Sequence, residues 1–520
     1  MQNAECRIQN EYAATAGLSF CILHSAFCIF LFLLLCGFLF FYRLADRDLW
    51  SSHEARAAMD AQGVLDGSAV LVPHLFDGRS ELQKPPLYYW LVAGFGRIGG
   101  GVDAWAVRLP AALSATACVL GLALFGGLCG RRREGLLAAV MLATAAHFTW
   151  LARIGRIDMP LTLTTGVSTC AAFLAFQRSR FSTLSLIVAY LAAAAGVLLK
   201  GPIGIVLPAA AITAFLVGEG AWPAAWEFRD WWALVRRLGI WWGVPLVVLL
   251  TLPWFVAADE DTGGELLRVF FWRHNVERAL GGGPLRSNPW WFYGPQFVVD
   301  FLPWSPFVLI AAVWGWRRGF LREDPLARLG LAWFLGVLTV LSCAGFKRAD
   351  YLLPAYPGAA LFLGCVAARL GERHGWLVDR AIPAGLAIVM LVVWAVRLEI
   401  TLPAQEPYRN YRPLAAVIRQ AAPTPAEVVF FRTEAHALAF RVGRPLAVLV
   451  EWSDLEGRLV KPGPHYVVTP PACVAECRDR LAGLSWEPVT GTVDLAGGAH
   501  ERPLVFLRVT HPDGYVSTRP

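Results

Sequence analysis

Residues 107–129 read VRLPAALSATACVLGLALFGGLC, a run in which Arg108, at the leading edge, is the only charge. A helix of this length crosses about 30 Å of hydrocarbon while satisfying its own backbone polar groups. Working outward, comparable runs lie near 20–42, 135–152, 159–177, 183–199, 202–218, 238–257, 298–316, 326–344, 351–369 and 379–398. With 56% apolar and 16% charged residues over 520 positions, the chain is too apolar for an ordinary soluble protein. The predicted fold is mainly α, a polytopic transmembrane helix bundle of about 11–13 spans, with a helix near Trp222 to Trp242 setting the upper count. The first run continues through Phe38, Phe40 and Phe41 to Tyr42 without a small-residue cleavage site, so it reads as a retained helix rather than a secretory signal.

Arginines collect in short loops of one parity, among them Arg131, Arg132, Arg133, Arg236, Arg237, Arg317, Arg318, Arg322, Arg369 and Arg373. The positive-inside rule assigns that side to the cytoplasm and the large loops near 43–106 and 258–300 to the outside. The net charge of +7 is accounted for by this asymmetry, and no nucleic-acid surface is read into it. Residues 1–398 form the expected transmembrane domain and 399–520 an outer α/β domain. In the latter, the runs Val428 to Phe431, Ala447 to Val450 and Tyr466 to Thr469 suit buried strands, and helices are expected near Pro413 to Gln420 and Val474 to Leu481. Cys473 and Cys477, four apart, are the candidates for a disulfide; the cysteines inside spans act as small apolar residues.

Charges near a bilayer are costly, so those that gather with aromatics on one face mark a polar ligand. The first outer loop carries Ser52-His53-Glu54-Ala55-Arg56, followed by Leu82-Gln83-Lys84-Pro85-Pro86-Leu87-Tyr88-Tyr89-Trp90. Glu54 reads either as a first-turn acid on the helix dipole or as a general base; Lys84, stiffened by two prolines, reads as a phosphate ligand or a snorkelling lysine. Arg156 with Asp158, Lys200 before Gly201-Pro202, Arg273 and Arg278 flanking His274, and Lys347, Arg348 and Tyr351 complete the outer set. His274 is the weak candidate for a metal ligand, and a divalent metal the candidate cofactor. His24 and His147, inside apolar runs, are assigned to packing.

Taken in order, Glu54 to Arg56, Gln83-Lys84-Pro85-Pro86, Arg156-Ile157-Asp158, Leu199-Lys200-Gly201-Pro202, Phe271 to Asn275 and Lys347 to Pro357 resemble the motifs of bacterial aminoarabinose transferases. The wider resemblance, over about Leu44 to Gly364, is to the protein O-mannosyltransferase-like enzymes of C-type membrane glycosyltransferase fold. It implies an inverting transfer from a polyprenyl phosphate-linked sugar, undecaprenyl in bacteria, to a lipid such as lipid A, a glycan or a protein. The place would be the periplasmic face of the inner (plasma) membrane, among membrane lipids. It further implies Glu54, His53, Arg56 and Asp158 as catalytic residues. Lys84, Tyr88, Arg156, Lys200, Arg273, Arg278, Lys347 and Tyr351 would hold substrate. Two departures stand out: His53 occupies the place of the family's first-loop aspartate, and Gln83 that of a glutamate. The rival readings are a lipid-linked sugar flippase and an inactive lipid-binding relative.

Overall fold

The computed structural model describes residues 29–74, 80–177, 182–224, 226–277, 287–460 and 463–511. Among the described residues, seven helices are long and apolar enough to span a membrane: Ala104–Leu128, Asp158–Gln177, Ser182–Lys200, Ile240–Asp261, Pro325–Cys343, Ala349–His374 and Leu377–Ala421. Two further pairs qualify together but are bent, Arg132–Ala143 with Ala146–Ala152 by 70° and Trp290–Asp300 with Ser305–Arg317 by 112°. With the shorter apolar helices Ile29–Phe41 and Ile203–Glu219, these correspond one for one to the apolar runs of the sequence. Local chemistry sets the ends. The Asp103 side chain accepts from the Ala106 N–H at 2.8 Å to cap helix 104–128, and Asp324 does the same for Leu326 and Ala327, at 3.0 Å each, to start helix 325–343. Leu249, Ile310 and Leu124 stay more than 60% exposed, as side chains facing lipid would.

At one end of the bundle, arginines are tied to acids across helices, Arg131 to Asp324 at 2.7 Å and Arg328 to Glu219, while Arg131 also meets Glu134 in the first turn of its own helix at 2.6 Å. The other end carries the helix Ser52–Leu65, the turn after it and the C-terminal unit. Helix Phe228–Arg237 lies between the spans ending at Glu219 and starting at Ile240.

The C-terminal unit is built on a five-stranded sheet, β1 (Val428–Phe431), β2 (Ala447–Leu449), β3 (His465–Thr469), β4 (Ser485–Gly491) and β5 (Val505–Thr510), in the order β2-β1-β3-β5-β4. β1 runs parallel to β2 and β3, with Val429 opposite Val467, while β5 is antiparallel to both β3 and β4. Alternate residues serve two cores. Val428, Phe430, Val468 and Phe506 face Leu414, Ile418 and Leu438; Val429, Phe431, Val467 and Leu507 face Leu455, Leu459 and Cys477. β4 and β5 are absent from the sequence expectation: β4 is a mostly exposed edge strand broken by a register shift at Pro488, so it has no alternating apolar signal. Cys473 and Cys477 share helix Pro471–Arg480 and are free thiols, which corrects the disulfide expectation: four residues apart on a helix, they lie one turn apart along the axis and do not meet.

This unit is docked, not tethered. Ala55, Ala58 and Ala61 on helix 52–65 pack with Ala437 in one buried cluster, and Asp48 accepts from Arg441 Nε at 2.9 Å and lies 3.5 Å from Arg412 Nε. Small side chains on that face let the helix 436–442 approach closely.

Candidate active site

A cavity of about 220 Å³, rich in charged side chains, opens at the end of the bundle that carries helix Ser52–Leu65, where helix 158–177 begins and helix 182–200 ends. Arg56, Lys84, Arg156, Lys200 and Arg348 line it, against only two carboxylates, Glu81 and Asp158. Asp158 is the hub. Its Oδ1 is 2.5 Å from Lys200 Nζ and its Oδ2 is 3.0 Å from Arg156, which also pairs with Asp350. Arg348 reaches Asp350 at 3.5 Å and donates to His53 Nε2 at 3.0 Å. His53 is thereby an acceptor: burial, then Arg156 and Arg348, draw its pKa down to about 3, so it is neutral at physiological pH. Lys200 Nζ also sits 3.9 Å from the centroid of the Tyr351 ring, a cation–π contact that fixes its place.

Arg56 is spent on Glu81, whose other oxygen accepts the Gln83 N–H at 2.8 Å and shapes the turn into Lys84. Glu81 thus puts a carboxylate at the cavity wall although Gln83 has replaced one in the motif. Its signal in the sequence was its place two residues ahead of Gln83.

Glu54 differs from the expectation of a base open to an acceptor. It is fully enclosed, 2.6 Å from Arg108 Nε and 3.2 Å from Arg47 Nη1, and accepts the Gly155 N–H at 3.1 Å. Burial works against its charge, yet Arg108 and Arg47 outweigh that and hold the carboxyl down at about 2. Gly155 is needed for this approach, since a Cβ there would meet Val107 Cγ1 at 2.3 Å. Tyr88, by contrast, is among the residues that line the cavity, although it is nearly enclosed and its hydroxyl donates to the Val107 carbonyl at 2.8 Å. Lys347 turns away, its Nζ donating to the carbonyls of Asn288, at 3.0 Å, and Ala344. Arg273 lies exposed on the segment Arg268–Glu277 and does not line the cavity. Arg278 and the side chain of His274 lie outside the described residues.

His147, read as a packing residue, is instead a polar junction. Its Nδ1 is 3.2 Å from Asp300 and 3.1 Å from the Tyr356 hydroxyl, and its Nε2 is 3.5 Å from Asp350. It therefore stands behind the carboxylate that holds Arg156 and Arg348. Among the described residues, no three His, Cys, Asp or Glu side chains are grouped as metal ligands. The cavity's acids are engaged by cations, so the donor set suits an anion better than a metal.

The surplus of cations beside carboxylates, at one end of a long-helix bundle, makes a site suited to the anionic group of a membrane-borne substrate. Residues 83–255 match the dolichyl-phosphate-mannose-protein mannosyltransferase family. The chain is 28% identical over 467 residues to the undecaprenyl phosphate-alpha-4-amino-4-deoxy-L-arabinose arabinosyl transferase of Pseudomonas aeruginosa UCBPP-PA14, covering 87% of this chain and 79% of that one. Its namesake from Shewanella sediminis is 26% identical over 388 residues, 72% of this chain and 66% of that one. Among solved structures, ArnT from Cupriavidus metallidurans bound to undecaprenyl phosphate superimposes with a TM-score of 0.73 at 18% identity, covering 92% and 97% of the two chains. The Archaeoglobus fulgidus oligosaccharyltransferase gives 0.57 at 13% identity, covering 86% and 70%. The chain is thus similar to the aminoarabinose transferases over most of its length and to the protein mannosyltransferase family over residues 83–255, and it shares the fold of the solved enzymes.

Proposed function

We propose that the cavity moves a sugar from a polyprenyl phosphate, undecaprenyl phosphate in a bacterium, to a lipid, glycan or protein acceptor at the periplasmic face of the inner membrane. The observation that carries this reading is five cations against two carboxylates in one outer cavity. A leaving phosphate gathers a second negative charge as the sugar–oxygen bond breaks, and fixed cations in a partly dehydrated site stabilise that charge more than the singly charged diester of the ground state. Lys84, Lys200, Arg156 and Arg348 are the cations for this task. The acceptor oxygen bonds to the anomeric carbon from the opposite side, the phosphate keeps the electron pair of the broken bond, and the acceptor's proton goes to a carboxylate. Asp158 is the proposed base: a donor phosphate that draws Lys200 and Arg156 toward itself loosens their hold on it. Glu54, saturated by two arginines, is proposed as the anchor of helix 52–65 rather than the base.

The test is incubation of purified protein in lipid with labelled undecaprenyl phosphate-linked pentoses and hexoses plus a lipid extract. Labelled product and freed undecaprenyl phosphate are expected, with turnover lower by about 100-fold or more in Asp158→Asn and Lys200→Ala. Donor binding without turnover, for every donor, would instead favour a flippase or an inactive binder.

A further inference from the structure

The charges that suit the cavity to a phosphate also leave it short of hydrogen-bond acceptors. Among the described residues that line it, the carboxylates are Asp158 and Glu81, and each of their four oxygens already accepts a hydrogen bond. Asp158 takes Lys200 Nζ at 2.5 Å on Oδ1 and Arg156 Nε at 3.0 Å on Oδ2; Glu81 takes Arg56 on Oε2 and the Gln83 N–H at 2.8 Å on Oε1. His53 adds a donor. Its Nε2 is occupied by Arg348 at 3.0 Å, so the proton of the neutral ring sits on Nδ1; burial first, then Arg156 and Arg348, keep that ring neutral. The face of Tyr351, an aromatic surface that could receive a cation, already carries Lys200 at 3.9 Å from its centroid.

The charges do not cancel. Arg56, Lys84, Arg156, Lys200 and Arg348 face Asp158, Glu81 and, behind the wall, Asp350, which holds Arg156 and Arg348. Five cations thus meet three carboxylates. A phosphodiester donor adds one negative charge, and transfer conserves the total, because the acceptor's proton passes to Asp158 as the phosphate gains its second charge. The occupied site therefore stays one charge positive throughout. An ammonium on the transferred sugar would double that excess in a partly enclosed place, where like charges repel several times more strongly than in water. It would also present three N–H donors to a wall of donors. A hydroxyl at the same position meets neither obstacle, since it accepts from lysine and arginine as readily as it donates.

We propose that the cavity selects an uncharged pentose or hexose on the polyprenyl phosphate and rejects a sugar bearing an ammonium, with His53 as the residue that sets the choice. The inference rests on the glycosyl transfer proposed above. It sets this chain apart from the arabinosyl transferases it matches, whose names specify a 4-amino-4-deoxy sugar. An aspartate at position 53 would bring both an acceptor and a negative charge to the start of helix 52–65. An imidazole whose acceptor nitrogen is engaged by Arg348 brings neither, so the site works against the cationic sugar as well as for the uncharged one.

Full-length protein in nanodiscs is assayed at pH 7, where amino sugars are charged, with two matched pairs of labelled donors and a lipid extract as acceptor. On undecaprenyl phosphate, arabinose is set against 4-amino-4-deoxyarabinose and glucose against glucosamine, so that lipid and phosphate cancel within each pair. The hydroxyl sugar is expected to exceed its amino partner about tenfold or more in kcat/KM, the scale of one like-charge contact. His53→Asp is expected to narrow that ratio about tenfold by raising the amino donor's kcat/KM. His53→Asn, which offers an acceptor without the charge, should recover a smaller part, and it serves if the aspartate variant does not fold. An amino donor equal to or better than its partner in the wild type overturns the inference, and an unchanged ratio in both variants overturns the role of His53. Displacement of labelled undecaprenyl phosphate by each donor ranks the same pairs without turnover. If nothing turns over, the transfer reading fails, while tighter binding of the hydroxyl donors sustains the selectivity and no preference overturns it.

Discussion

Glu54→Gln leaves shape and one acceptor oxygen in place but removes the charge between Arg108 and Arg47, both nearly or wholly buried. Breaking a buried ion pair by neutralising one partner costs about 3–5 kcal/mol, because the remaining charges stay enclosed without compensation. A carboxyl held near 2, against an ordinary value near 4.5, corresponds to stabilisation on the order of 3 kcal/mol at neutral pH, which agrees with the lower end. Because the folded pKa lies below the unfolded one, that stabilisation is fully present above about pH 5 and is lost as pH falls toward 2. The assay is thermal unfolding in detergent between pH 4 and 8, paired with turnover of the surviving folded fraction. The expected result is a melting temperature lower by about 5 °C or more at pH 7, a gap that narrows at low pH, and turnover per folded molecule within a few-fold of wild type. An unchanged melting temperature with abolished turnover would refute the anchor role and return Glu54 to the part of base.

Two other substitutions test the frame around the cavity. His147→Leu fits an apolar packing position, but it leaves Asp300 and Asp350 without their shared partner. It is expected to destabilise by about 1–3 kcal/mol in a denaturant titration and to lower turnover through Arg156; wild-type behaviour would restore the packing assignment. Gly155→Ala forces a methyl against Val107 Cγ1 and the Val107 carbonyl. A loss of roughly 1–3 kcal/mol of stability is expected in a denaturant titration, with turnover per folded molecule within a few-fold of wild type, as for Glu54→Gln; a neutral result would mean that this loop relaxes freely.

The cavity was legible in its types and largely not in its assignments. His53, Arg56, Lys84, Tyr88, Arg156, Asp158, Lys200 and Tyr351 all line it, because each lies near the same end of the bundle, at a helix end or in a segment that joins two spans. Lys347 and Arg348 show where reading fails: they are neighbours in sequence, yet one caps the carbonyls of Asn288 and Ala344 and the other meets His53 and Asp350. Glu54 and Asp158 looked alike as acids beside arginines. Only one lines the cavity.

What the sequence by itself determined was the bundle: the lengths of its apolar runs, the sidedness of its arginines and the α/β character of the tail. Those are local quantities, since each helix meets its backbone needs within its own length whatever its neighbours are. The tertiary structure alone decided which charges are neutralised and which face the cavity. Glu54 depends on Arg108 from the next span, and Arg156 on Asp350 from a helix far along the chain. The partners of a buried charge are fixed by packing between distant segments, and no short window of sequence contains both halves of the pair.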